Sequence, residues 1–269
     1  MRYEKGTIHL NERQDIPLLQ QVFQSAYATQ QQLFEFMRLR GCERSQGALR
    51  MRLTRLVQHD LIRRHSVQHL SNSLYSISPT GRDILIYRGI PYAGRGCGLD
   101  RPLATAQHAL NLNELHLAFL RSGGLREWVP ETEICSRNIL TSWGHAKDYD
   151  AVITVAREKE EPITFALEYE RSQKNDAEYQ SVAIALNREA YVDFILYVTT
   201  TSHLFAKLNA TLRHCRQSIA LCLAPDLHAR LFDAKVFLLS EEWRMTLSEL
   251  VELKRRVKLT AASAQGRNS

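Results

Sequence analysis

No apolar run in this sequence approaches the roughly 18 residues that a membrane-spanning helix requires. Nor does the N-terminal stretch MRYEKGTIHLNERQDIP carry the apolar core of a secretory signal, so the sequence predicts a chain retained in the cytoplasm, with no membrane partner. Cysteine is sparse and unpatterned: Cys42, Cys97, Cys135, Cys215 and Cys222 are widely scattered, odd in number and without a C-x-x-C pair. That argues against a disulfide framework and a thiolate zinc site, and leaves five small hydrophobes for a reducing compartment. Internal repeats are missing too, and the only biased tract is the polar tail TAASAQGRNS, which is expected to fray.

Lysine is almost absent from the first third. Residues 1–90 hold 13 Lys+Arg against 7 Asp+Glu, and all but Lys5 of those cations are arginine; residues 91–269 hold 22 of each sign. The net charge of +6 therefore resides entirely in the N-terminal region. Arginine presents a planar donor fork suited to phosphate and guanine, so a basic module joined to a neutral body points to double-stranded DNA as partner at one end.

Local signals in that region read as helices followed by a hairpin. Asp15 is expected to cap a helix with Pro17 in its first turn, running from Ile16 to about Gln24, Thr29 caps QQQLFEFMR, and a third helix begins around Ser45 in SQGALRMRLTRLVQHD. In the third helix Leu49, Leu53, Leu56 and Val57 recur on one stripe. The opposite face carries Gly47, Met51, Thr54, Arg55 and Gln58, flanked by Arg50 and Arg52. LIRRHSV and SLYSIS, joined by the polar turn QHLSN, form a hairpin with Arg63 and Arg64 at its base, and Ser78-Pro79 starts a closing helix. This combination predicts a winged helix-turn-helix domain over 1–90. Arg50, Arg52, Arg55, Gln58, Arg63 and Arg64 would contact phosphates or base edges.

The segment PYAGRGCGLDRP is rich in glycine and proline and marks a linker, 91–103. Beyond it, HALNLNELHLAFLRSG reads as a helix, WVPETEI as a strand, and YDAVITVA and ITFALEYER as two more. A helix from Asp176 to about Glu189 follows, then the doubly buried strand YVDFILYVTT, a helix after Ser202, the strand AKVFLL and the last helix SEEWRMTLSELVELKRR. The fold class is thus α/β, with a mixed central sheet over 104–260 and a disordered tail over 261–269.

Helix, three-strand meander, helix, strand is the order of the restriction-endonuclease-like core of PD-(D/E)XK nucleases. Such sites gather carboxylates at one sheet edge to hold Mg²⁺, which activates water and neutralises charge on the scissile phosphate. Asp150 stands where the first acid belongs, Glu168 where the second belongs, and Glu114 on the first helix is placed to complete a metal set. The lysine position after Glu168 holds Glu170 instead, leaving Lys174 or Arg171 to reach back as the basic group. The candidate catalytic residues are Asp150, Glu168, Glu170 and Lys174. His108 and His116, eight residues apart, are too far for a chelating pair on one helix and read as structural. Trp128, Trp143 and Trp243 read as core or interface anchors.

The chain resembles the replication-relaxation family of bacterial plasmids and integrative elements over about residues 20–240. The resemblance rests on the Leu/Arg pattern of the N-terminal domain, on His108-Ala-Leu-Asn-Leu-Asn113-Glu114, on Trp128-Val-Pro-Glu131, and on the Asp150 strand. It also rests on Ala166-Leu-Glu168-Tyr-Glu170-Arg171, followed by Tyr179; Tyr149 replaces the proline usual before Asp150. It implies a winged helix joined to a nuclease-like domain, with a DNA-handling role in replication, mobilisation or regulation of a mobile element. Three functions stay open at this point: a sequence-specific DNA binder acting as a homodimer, a Mg²⁺-dependent nuclease or nickase targeted by the winged helix, and a ligand-sensing transcriptional regulator.

Overall fold

The computed structural model describes residues 8–66, 73–94, 102–142 and 144–265. The hairpin turn QHLSN, most of the Gly/Pro-rich linker with Cys97, Trp143 and the last four residues lie outside the described residues. Among the described residues no helix is long and apolar enough to cross a membrane. The chain divides into two compact units, 1–117 and 118–269.

The first unit contains α1 (Asp15–Ser25), β1 (Ala28–Thr29), α2 (Gln30–Leu39), α3 (Gln46–Gln58), β2 (Ile62–His65), β3 (Leu74–Ile77) and α4 (Pro79–Tyr87). It also holds most of α5 (Ala106–Arg121), a helix that the sequence places in the second domain. Asp15 does not cap α1: it lies inside the helix after Gln14, and its carboxylate turns to the Asn11 N–H, Arg52 and Arg55. The next three helix starts have local caps. Thr29 and Gln32 form a reciprocal capping box on α2, Ser45 accepts from the Ala48 N–H on α3, and Ser78 accepts from the Gly81 N–H with Pro79 in the first turn of α4. The strands pair antiparallel in the order β1-β3-β2, the β2–β3 register setting Ile62 opposite Ile77 and Arg64 opposite Tyr75. Leu18, Leu19, Leu33, Leu49, Leu53, Leu56 and Leu85 are fully or almost fully buried in one core, which is what the leucine stripe of α3 serves.

Gly81 is required by contact. A methyl group added there would meet the Leu61 carbonyl oxygen at 2.0 Å, so only glycine lets α4 pass the end of α3 and the start of β2.

The second unit is built on a seven-stranded mixed sheet in the order β10-β9-β8-β7-β6-β5-β4. Its elements are β4 (Leu125–Pro130), α6 (Glu131–Leu140), β5 (Ala151–Val155), β6 (Ile163–Glu170), α7 (Asp176–Leu186), β7 (Phe194–Thr199), α8 (Ser202–Leu212), β8 (Ile219–Leu223), α9 (Ala224–Arg230), β9 (Lys235–Leu238), β10 (Trp243–Thr246) and α10 (Leu247–Gln265). β4, β5 and β6 form the antiparallel meander, and β6, β7 and β8 run parallel through the α7 and α8 crossovers. β7 is buried along its whole length, as its continuous apolar run implies.

Four features depart from the sequence reading. The segment WVPETEI does not continue as a strand: β4 ends at Pro130, and Glu131 and Glu133 begin α6, where two acids complement the helix N-terminus. IALCL forms a further parallel strand, β8, whose alanine and cysteine give weak strand signals. WRMT pairs as β10 instead of opening the last helix, which starts at Leu247 after Glu249 and Thr246 have exchanged hydrogen bonds. α10 then continues to Gln265, through the first half of the expected tail.

Candidate nucleic-acid interface and acidic cluster

On α3 the burial of Leu49, Leu53 and Leu56 turns Gly47, Arg50, Met51, Thr54 and Gln58 outward, and Met51 is 76% exposed. These residues line an open groove of about 1,220 Å³ together with His9, Asn11, Ala48, Arg52 and Arg55. Arg52 and Arg55 are engaged differently. Asp15, fully buried, receives Arg52 Nη1 at 2.7 Å and Arg55 Nη2 at 2.5 Å, together with the Asn11 N–H at 2.7 Å. Burial alone would raise the Asp15 pKa, but the Asn11 N–H and the two guanidinium groups outweigh it and hold the carboxyl below its ordinary value. Arg52 also donates to Gln14 and reaches Glu43 at 3.4 Å, with only 14% of its side chain exposed. It therefore acts as a counterion of buried acids, whereas Arg55 keeps a 40% exposed side chain on the groove.

Arg63 and Arg64 are both exposed, but as neighbours on β2 they point to opposite faces of the hairpin. Arg64 donates to Ser73 at 2.8 Å, while the Arg63 charge acts on Tyr27 and His65. The expected arginine set thus resolves into exposed groups (Arg50, Arg63, Arg64), one shared group (Arg55) and one internal group (Arg52).

At the ends of β5 and β6 the structure brings Asp150, Glu168 and Glu170 into one neighbourhood. The Tyr169 N–H donates to Asp150 Oδ2 at 2.7 Å, fixing that carboxylate against the end of β6. Glu168 lies opposite Tyr197 of β7 and Glu170 opposite Thr199. Both glutamates are 6% exposed, so they do not form a solvated sheet face. Each has a lysine. Lys174 Nζ stands 2.5 Å from Glu170 Oε2, and Lys147 Nζ stands 2.7 Å from Glu168 Oε1. Lys147 also lies 5.4 Å from the centre of the Tyr149 ring. Arg171 is exposed and makes no ion pair among the described residues.

Burial raises the Glu168 pKa to about 6; Lys147 and Lys174 pull it down and Asp150 pushes it up. Burial would lower the Lys174 pKa, but Glu170 and Glu168 raise it overall. Tyr149 and Tyr197 line the same core with buried hydroxyls, that of Tyr149 facing Glu189. Burial and the surrounding carboxylates push both phenols up, so they stay protonated.

The loop carrying Lys147 is itself anchored. Glu189 accepts from the Ala146 N–H at 2.9 Å and the Tyr191 N–H at 2.8 Å, with His145 Nδ1 at 3.6 Å. Burial would raise its pKa, yet these partners bring it down to about 2. Asn138 accepts from the His145 N–H and donates to Asp148, tying the same loop to α6. Sequence reading missed Lys147, because it sought the lysine along β6 or just after it; the residue precedes Asp150 in KDYD.

Glu114 lies in the first unit, where Gln32 Nε2 donates to its Oε1 at 2.8 Å and to the Leu110 carbonyl. The adjacent Asn113 donates to the Tyr27 carbonyl. Asp150 and Glu168 belong to the second unit, and among the described residues no group of three or more His, Cys, Asp or Glu side chains is placed to hold a metal ion. Asp150 and Glu168 remain as carboxylates of the type that bind magnesium, here held by the Tyr169 N–H and by Lys147 respectively. His116 is buried against Phe36, its ring 4.8 Å away, and burial followed by the Arg40 charge holds its pKa well below the ordinary value.

No known family model matches the chain, and no curated protein or solved structure matches it. The functional reading therefore rests on the residues themselves.

Proposed function

We propose that this protein is a sequence-specific double-stranded DNA-binding protein of winged-helix type. α3 enters the major groove, the β2–β3 hairpin contacts the backbone, and the restriction-endonuclease-like second unit supplies further DNA contact, self-association or both. The observation that carries the reading is the division of α3. Its leucines are buried, while Arg50, Met51, Thr54 and Gln58 stand open on the opposite face of a unit that holds the chain's whole positive excess. The sequence resemblance to replication-relaxation proteins supports extending the proposal to a role in the replication, mobilisation or regulation of a bacterial mobile element.

Selection from a random duplex pool, followed by fluorescence anisotropy across a salt series, tests the proposal. A specific duplex should emerge, with affinity falling steeply as salt rises. Arg50→Ala and Arg63→Ala should each reduce the log–log salt slope by about 1. Failure to enrich any sequence, or slopes unchanged in both variants, would overturn it.

The lysines paired with Glu168 and Glu170 favour a second reading, a Mg²⁺-dependent nuclease or nickase. Asp150 and Glu168 would hold the ion, which supplies charge neutralisation and an activated water when bound. Lys147 or Lys174 would provide the basic group absent from position 170. Supercoiled plasmid incubated with the pure protein and Mg²⁺ or Mn²⁺ separates the two readings: nicking abolished by Asp150→Ala supports the enzyme, and intact plasmid with either metal supports the binder alone.

A further inference from the structure

On the β8–β10 side of the sheet, α8 and the β9–β10 ladder border an open cavity of about 570 Å³. That size falls within the range of small-molecule sites. Its apolar wall comes from Phe205 of α8 with Leu221 and Phe237 of the sheet. The strand register explains the arrangement. Leu221 pairs with Phe237, and Phe237 pairs with Arg244, so the three side chains form a row on one face across β8, β9 and β10. Lys235, two residues before Phe237, shares that face.

The two cations at the rim are available. Lys235 and Arg244 are exposed, and neither side chain forms an ion pair among the described residues. Asp226, the one acid on the lining, is already used: its Oδ2 accepts from the Lys235 N–H at 2.6 Å and its Oδ1 lies 3.3 Å from Arg230. Glu249, on which the Lys235 charge also acts, is held by the N–H and hydroxyl of Thr246. An apolar floor with a guanidinium and an ammonium at one end is complementary to a molecule with an apolar body and a single anionic head.

We propose that this cavity binds a small amphipathic organic acid. The apolar body, aromatic or branched, packs against Phe205, Leu221 and Phe237, and the anionic group sits between Arg244 and Lys235. The site lies in the second unit and does not depend on the proposed DNA-binding function.

The test uses the full-length protein and two probes: 8-anilinonaphthalene-1-sulfonate, which has an aromatic body and an anionic head, and N-phenyl-1-naphthylamine, which lacks the charge. The sulfonate should bind at one saturable site with enhanced, blue-shifted fluorescence and be displaced by indole-3-acetate or decanoate. The double variant Lys235→Gln/Arg244→Gln should weaken it by about tenfold or more, as expected for the loss of two charge-assisted contacts. Binding of the neutral probe should be weaker and insensitive to that change. Both substitutions are at exposed positions, and Arg126→Gln/Arg157→Gln, two exposed cations toward the other edge of the sheet, removes the same two charges as a control. The proposal is overturned by absent saturable binding, by a double variant within twofold of wild type, or by a neutral probe that binds as tightly as the anionic one.

Discussion

Lys147 Nζ lies 2.7 Å from Glu168 Oε1, placing a loop cation against a buried strand carboxylate. Removing one member leaves the other uncompensated. Lys147→Met should therefore destabilise the second unit by about 2 kcal/mol, below the figure for a fully buried pair because the lysine is partly exposed. Combining it with Glu168→Gln should recover part of that loss. All three tryptophans belong to the second unit, so denaturant unfolding followed by tryptophan fluorescence reads this change.

Glu168 should also make stability depend on pH. Its folded pKa, about 6, is above the ordinary 4.5, so the folded state binds the proton more tightly than the unfolded one. The stabilisation is complete below pH 4.5 and is lost as pH rises through about 6. Glu168→Gln should remove that fall, making the variant relatively more stable above pH 6 than below 4.5. Equal pH profiles for variant and wild type would contradict the assignment.

Glu189 acts in the opposite direction. Its folded pKa of about 2 lies below 4.5, so its contribution is present above pH 4.5 and is lost as pH falls through about 2. Glu189→Gln should flatten the acid limb of the unfolding profile. It should also loosen the Lys147 loop, read as faster amide exchange at Ala146 and Tyr191, whose N–H groups it accepts.

Arg52 and Arg50 are two residues apart on α3 but should behave oppositely. Arg52→Ala strips a counterion from fully buried Asp15 and should cost about 3 kcal/mol in the stability of the first unit, measured by far-ultraviolet circular dichroism. Arg50→Ala, at an exposed position, should stay within about 0.5 kcal/mol. Under the proposed function, its effect should instead appear in DNA affinity.

Gly81→Ala should destabilise the first unit by more than about 2 kcal/mol, because the new methyl would lie 2.0 Å from the Leu61 carbonyl oxygen. Near-native stability would mean that α4 can move away from that strand end.

Much of the local structure was written along the chain. Thr29, Ser45 and Ser78 cap the helices they precede, the leucines of α3 form a buried stripe, and the apolar run of β7 is buried on both faces. These features depend on hydrogen bonds within a few residues and on side-chain periodicity, both visible in a linear pattern. Likeness to the restriction-endonuclease-like element order singled out Asp150 and Glu168, and the β5–β6 register brings them to neighbouring strands. The partner of each charge was not written there. Asp15 lies 37 and 40 residues from the arginines that neutralise it, and no local rule separates Arg52, turned inward, from Arg50, left free. The lysine beside Glu168 likewise comes from the loop before β5, although a reading along β6 finds only Glu170. The sequence by itself determined the elements and the residue types at their ends. Tertiary packing decided which charges meet, because an ion pair depends on distance through space and on the water excluded around it.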